Sequence, residues 1–143
     1  MKRLEVCAAV IRQNGWTLIC SRPKNSALGG FYEFPGGKCE PGETSAQCVL
    51  RELNEELGVR CLAFDQIHCL DHDYPDKSVR VHFIRCVLLP DSPPPEPRDG
   101  QDIKWVRTTD LAAENFLPAD LPLAALLADA AKKYGSPNNK TAR

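Results

Sequence analysis

The segment from Gly37 to Val59 constrains this chain more than any other. It reads Gly-Lys-Cys-Glu-Pro-Gly-Glu-Thr-Ser-Ala-Gln-Cys-Val-Leu-Arg-Glu-Leu-Asn-Glu-Glu-Leu-Gly-Val. Thr44, preceded by Gly42 and Glu43, is placed as a helix N-cap. From there Val49, Leu50, Leu53 and Leu57 recur at three- and four-residue spacing, which predicts an amphipathic helix ending at Leu57. Gly58 is the expected stop. Glu52, Glu55 and Glu56 then fall within about one helical turn, and at about 100° per residue Glu55 and Glu56 flank Glu52. Glu52 and Glu56 repel at i, i+4. Arg51 can pair with Glu55 at the same spacing, which leaves negative charge in excess on one face. Glu43 enters from the preceding loop. Three clustered glutamates are more often a solvated face than a site. Clustered hard oxygens are also what magnesium or manganese binds beside phosphates and water.

The rest of the chain supplies strands around that helix. Residues 3–12 and 16–22 are apolar, β-branched runs broken by Asn14-Gly15, a hairpin pattern. Residues 23–30 are loop chemistry. Phe31 to Phe34 predicts a short strand that stops at Pro35-Gly36-Gly37. Residues 59–73 and 78–89 predict two longer strands joined by Tyr74-Pro75-Asp76-Lys77. In the second of them Val79, Val81 and Phe83 alternate with Arg80 and His82. Residues 90–101 form a proline-rich loop, read as a rim feature. Ile103 to Val106 is a further strand, and Thr109-Asp110 caps a short helical turn. Asp120 to Lys133 is a last amphipathic helix carrying Leu121, Leu123, Leu126 and Leu127. This pattern is α+β: a mixed sheet covered by helices in one domain over residues 1–134, with a polar, disordered tail over 135–143.

Composition narrows the function. A net charge of −1 gives no basic excess for wrapping a nucleic-acid polymer, so a polyanionic partner must be met at a local site. No apolar run approaches the roughly 20 residues of a membrane helix, and the N-terminal run lacks the cleavage pattern of a signal peptide. The seven cysteines are odd in number and contain no Cys-x-x-Cys, which argues against a zinc site or a disulfide framework. They read as reduced thiols acting as small apolar side chains in a cytoplasmic protein. His68, His72 and His82 lie on predicted strands as surface or partly buried residues.

The order of residues in the 37–59 segment carries a stronger signal than the three glutamates alone. Gly, five residues, Glu, seven residues, Arg-Glu-Leu, one residue, Glu-Glu, one residue, Gly-Val matches the box of the Nudix hydrolases at every fixed position. The resemblance implies the Nudix fold and a catalytic loop–helix–loop that holds magnesium, or manganese in its place, against a diphosphate. On this resemblance Glu55 and Glu56 are metal ligands, and Glu52 is a ligand or the base that activates water. Arg51 orients the carboxylates. The carbonyl of Gly36, together with Gly37, lies on the loop approaching the metal. Glu43 supports the site and Gly58 ends the helix. Magnesium and a carboxylate together meet the needs of diphosphate hydrolysis: a positioned water, a lowered water pKa and a neutralised leaving group.

The stretch Tyr32-Glu33-Phe34-Pro35-Gly36-Gly37-Lys38 and the run Phe116-Leu117-Pro118-Ala119-Asp120-Leu121-Pro122 resemble the MutT branch, whose members remove oxidised guanine nucleotides. That likeness implies hydrolysis of a nucleoside triphosphate such as 8-oxo-dGTP to monophosphate and pyrophosphate by a monomer or weak dimer. It places Arg22 near the phosphates, Phe34 beside the base, Lys38 on the substrate side and Asp99 as an added metal ligand. Read without the resemblance, Arg22 is an ordinary surface charge, Phe34 a core residue and Asp99 a turn residue. Asp120 departs from the asparagine of well-known MutT proteins. An amide donates and accepts, whereas an ionised carboxylate only accepts; a buried, protonated one can also donate. A carboxyl there admits cytosine or methylcytosine nucleotides such as CTP, dCTP and 5-methyl-dCTP, or broad 2-hydroxy- and 8-oxo-purine tolerance. ADP-ribose is a further alternative substrate from another branch, and Asp120 has a purely local alternative as N-cap of the last helix. A silent nucleotide sensor is a reading from another class, although such modules usually lose box glutamates and here all are present.

Overall fold

The computed structural model describes residues 3–135, so the expected polar tail, apart from Gly135, lies outside the described residues. Within them run β1 (Arg3–Gln13), β2 (Trp16–Ser21), β3 (Tyr32–Glu33), β4 (Gly36–Lys38), α1 (Ser45–Leu57), β5 (Cys61–Tyr74), β6 (Lys77–Leu88), β7 (Ile103–Arg107), a 3₁₀ turn (Thr108–Ala113) and α2 (Leu121–Tyr134). The architecture is a mixed β-sheet with flanking helices, as the alternation of apolar runs predicts. The described residues divide into two units, one of residues 3–10 and 35–98, the other of residues 11–34 and 99–135. Strand β1 runs through both.

In the first unit β4 pairs antiparallel with β1, and β5 forms a long hairpin with β6 that turns at Pro75-Asp76. Register shifts between Ala63 and His68 interrupt that hairpin. Val79, Val81 and Phe83 point inward, as their alternation predicts. Helix α1 packs on β4, β5 and β6 and buries Cys48, Val49, Leu53 and Leu57. Strand β4 is a correction to the sequence reading, which ends the strand at Pro35 because Pro-Gly-Gly signals a turn. The glycines are there for close approach: a Cβ on Gly36 would run into the Cys7 carbonyl of β1.

Both ends of α1 are fixed locally. Thr44 Oγ1 accepts from Gln47 N–H at 3.1 Å, and the Gln47 side chain accepts from Thr44 N–H at 2.9 Å, a reciprocal capping box. At the other end Gly58 is left-handed (φ 67°) and its N–H donates to the Asn54 carbonyl. The proline-rich segment then returns to this end. Glu96 N–H donates to the Leu57 carbonyl and Arg98 N–H to the Glu56 carbonyl, so the loop expected at the rim satisfies helix-terminal acceptors.

In the second unit the last residues of β1 pair with β2 across Asn14-Gly15, both at positive φ as a tight hairpin demands. Strand β2 pairs with β3 on one side and β7 on the other. Helix α2 packs against the 3₁₀ turn. That turn begins at Thr108 with no side-chain cap bond, so the expected Thr109-Asp110 cap does not form. Helix α2 buries Leu123, Ala124, Leu127, Ala128 and Ala131, a stripe at i, i+1, i+4, i+5 and i+8. Leu121 and Leu126 fall off that stripe and are exposed, which corrects the four-leucine face read from the sequence.

Gly58→Ala tests the α1 stop. A Cβ there meets the Arg98 guanidinium, a side-chain end that can shift, so the main cost is the left-handed backbone, about 1–2 kcal/mol. The urea midpoint should fall with an unchanged slope; an unchanged midpoint would show that this cap does not hold the helix.

Candidate active site

The loop before α1 and the outer face of α1 place the carboxylates of Glu43, Glu52 and Glu55 around one arginine, with Glu40 farther off at 3.7 Å. Arg51 lies on the second turn of the helix and points back over the loop. All five of its N–H donors are used. Nε and Nη2 grip Glu43 side-on, at 2.6 Å to Oε2 and 2.9 Å to Oε1. Nη1 donates to Glu52 Oε1 at 3.1 Å and to Glu55 Oε1 at 3.0 Å. Nη2 also donates to the Lys38 carbonyl at 3.0 Å. Glu43 in turn accepts from Glu40 N–H at 2.8 Å. The guanidinium beside it holds the Glu43 carboxyl down at about 2.

Glu52 and Glu55 differ although they share one donor group. The Glu52 side chain is 15% exposed and that of Glu55 51%. Burial pushes the Glu52 carboxyl above its ordinary range; Arg51 opposes this, and the charges of Glu55 and Glu43 add to it. The Glu52 carboxylate also occupies the space above the Gly37 Cα, where a Cβ would sit 2.5 Å from Glu52 Cδ. Gly37 is thus required for loop and carboxylate to meet. Glu56 is half-buried, and its backbone carbonyl receives Arg98 N–H.

This donor set suits a hard divalent cation. It consists of carboxylate oxygens, with the half-buried Gly36 on the adjoining strand β4. One guanidinium faces the three carboxylates of Glu43, Glu52 and Glu55, so negative charge is left in excess, which a cation would relieve. Among the described residues the box carboxylates do not close into a tight ligand cluster; those of Glu43, Glu52 and Glu55 are each turned to Arg51.

The residues read as substrate contacts are divided between the two units. Lys38 belongs to the first unit; its side chain is exposed and its carbonyl serves Arg51. Arg22, Phe34, Asp99 and Asp120 belong to the second unit. Arg22 Nε donates to the Ala27 carbonyl at 3.3 Å within its own loop. Asp99 follows the proline-rich segment, and its N–H donates to Gln101 Oε1. Phe34 is 2% exposed and stacks on Phe116 at 5.1 Å between centroids. Sequence reasoning quotes Phe116 only as part of a run. No local pattern marks it, because its partner lies far away in the chain.

Asp120 does not cap α2, which corrects the local reading. Its backbone is helical at the cap position and its side chain makes no cap bond. The carboxyl is buried instead, and Oδ2 accepts from Phe34 N–H at 2.8 Å. Burial, reinforced by the charge of Glu33 and opposed by the Phe34 N–H, pushes its pKa up to about 8. At neutral pH Asp120 is therefore largely a neutral acid, able to donate as well as accept.

The match to known proteins covers nearly the whole chain. A family model described as the NUDIX domain matches residues 6–126. The chain is 35% identical over 130 residues to an 8-oxo-dGTP diphosphatase of Escherichia coli, covering 89% of this chain and 98% of that one. It is 32% identical to a CTP pyrophosphohydrolase of the same organism, covering 86% and 90%. It also resembles the solution structure of the E. coli ORF135 protein, with a TM-score of 0.76 and 30% identity, over 96% of this chain and 95% of that one.

The burial of Asp120 predicts a pH dependence. Its folded pKa is about 8 against an ordinary 3.8, so the folded state holds the extra proton between those values. Stability from this group is full below about pH 4 and is lost as pH rises through about 8. Asp120→Asn should remove that slope and gain relative stability in alkaline buffer. Parallel pH profiles for the two proteins, by thermal melting, would mean that the carboxyl is not buried as a neutral acid.

Proposed function

The chain belongs to the Nudix family and is a Nudix hydrolase similar to the MutT-like nucleotide diphosphatases, and from that premise we propose that it hydrolyses nucleoside triphosphates to monophosphate and pyrophosphate with magnesium. Manganese is the natural substitute. The observation that carries this reading is the Arg51-centred carboxylate cluster, with Glu52 seated on Gly37 at its buried edge. Glu52, Glu55, Glu56 and the Gly36 carbonyl would hold the cation. When bound, the cation supplies Lewis acidity toward phosphate oxygens and neutralises charge on the leaving group.

The chain's own residues do the rest. Glu52 accepts the proton of the attacking water, a role suited to a partly buried carboxyl whose affinity for protons is raised. Arg51 is a positioning residue: it holds Glu43, Glu52 and Glu55 in one arrangement and leaves the phosphates to other groups. The water oxygen joins the attacked phosphorus, and the bridging oxygen leaves with pyrophosphate.

We read the preferred substrate as an oxidised purine nucleotide such as 8-oxo-dGTP, in keeping with the 8-oxo-dGTP diphosphatase relative. Phe34 would border the base and Asp120 would read its edge, as a neutral acid that both donates and accepts and so stands in for an amide. A cytosine nucleotide is the second reading, favoured by the similarity to a CTP pyrophosphohydrolase and by the carboxyl at position 120. Arg22 toward phosphate and Asp99 toward the cation complete the proposed set. The free thiols fit a reducing, cytoplasmic setting.

Two measurements test the proposal. Pyrophosphate release with magnesium from 8-oxo-dGTP, dGTP, dCTP, 5-methyl-dCTP, 2-hydroxy-dATP and ADP-ribose should favour the oxidised purine. Preference for a cytosine nucleotide selects the second reading, and hydrolysis of none leaves only a nucleotide sensor. Glu52→Gln should lower kcat by about a hundred- to ten-thousand-fold, the usual worth of a general base, with an unchanged circular dichroism spectrum. Full activity in that variant would remove Glu52 from the role given to it.

A further inference from the structure

Three thiols from three different elements meet inside the first unit. Cys7 comes from β1, Cys39 directly follows β4, and Cys48 lies in the first turn of α1. Their Sγ atoms all lie within 4.8 Å of one another, and those of Cys7 and Cys39 are 3.1 Å apart. Cys7 and Cys48 are fully buried, while Cys39 is half-buried and opens the trio to solvent. The remaining cysteines are not part of this group; Cys69, for one, is exposed on β5.

This arrangement has the dimensions of a metal-thiolate centre. Zinc–sulfur bonds of about 2.3 Å in tetrahedral geometry set sulfurs roughly 3.8 Å apart, within the spread seen here. The three mutually close ligand atoms are all sulfur, a soft set unsuited to magnesium, although Cys48 Sγ also donates to the Gly37 carbonyl at 3.7 Å and lies beside Glu43. Burial raises the thiols to about 11 for Cys7 and Cys39 and about 12 for Cys48, so only an ion that bonds strongly to sulfur displaces their protons. The odd cysteine count and the missing Cys-x-x-Cys point away from zinc, but here the ligands are gathered by the fold, from positions 7, 39 and 48.

We propose that Cys7, Cys39 and Cys48 form a binding site for a thiophilic d¹⁰ divalent cation of the zinc class, distinct in its ligands from the carboxylate cluster that it adjoins through Cys48. Three sulfurs are the protein ligands, their protons pass to solvent, and the fourth position faces the half-exposed side of Cys39, where water completes the shell. The site does not depend on nucleotide hydrolysis, so it stands or falls apart from the proposed activity.

The test is a cadmium(II) titration of the reduced full chain under a thiol-free reductant, with excess magnesium present to occupy carboxylates. Thiolate-to-cadmium charge-transfer absorption should rise and saturate at one equivalent, and zinc(II) should displace it. Cys39→Ser, at a half-buried position where serine is tolerated, should abolish the saturable band, and Cys39→Ala gives the same reading if serine disturbs the fold. Cys69→Ser should bind as the parent does. A parent protein with no saturable band, or a Cys39 variant with the full band and stoichiometry, overturns the site.

Discussion

The guanidinium of Arg51 is the constraint on which the first unit's carboxylate cluster rests. It has five donors and every one has an acceptor, drawn from the end of β4 (Lys38), the loop after it (Glu43) and the helix (Glu52, Glu55). A lysine has the charge but not the planar fork, so it could not hold a side-on carboxylate and three further acceptors together. Strand β4 can come close enough to be gripped because Gly36 and Gly37 carry no side chain; one lies against the Cys7 carbonyl and the other under Glu52. The result is a set of acids held apart yet aligned. Such a set keeps negative charge available for a cation at modest cost, since one guanidinium screens it only in part.

The second unit solves a different problem with a single acid. Asp120 joins the start of α2 to the Phe34 backbone, next to the Phe34–Phe116 stack. A buried carboxyl with one N–H donor and a neighbouring glutamate charge cannot stay ionised cheaply, and keeping its proton is the cheaper state. Its chemistry then approaches that of the amide it replaces. A one-atom difference between aspartate and asparagine is thus narrowed by the surroundings, which makes position 120 a poor guide to substrate when read as a letter alone.

What could be read in advance follows the range of the forces. Helix α1 was legible to the residue because its capping box and its left-handed stop are made within four residues of where they act. The Arg51–Glu55 pair was legible for the same reason, being an i, i+4 contact. Strand β4 was hidden, since Pro35-Gly36-Gly37 reads as a turn until β1 is present to pair with it. Asp120 looked like a cap because caps are local, and its true partner is 86 positions away in sequence. The thiol trio left no pattern at all. Its members are set by a strand, a loop and a helix, and spacing along the chain carries no information about their meeting.

The proline-rich segment closes over α1 in a way that reaches beyond the bonds it makes. It is stitched down at Asp91 and Ser92, which receive Arg60, and again at Glu96 and Arg98, which reach the last carbonyls of the helix. Between these points run Pro93, Pro94 and Pro95, which have no N–H to leave unsatisfied and little freedom to lose. The denatured chain is already stiff there, so docking the segment removes few conformations from it. Helix α1 is thereby closed by a span whose ordering was largely accomplished before folding began, and the rigidity of α1 owes something to the unfolded state.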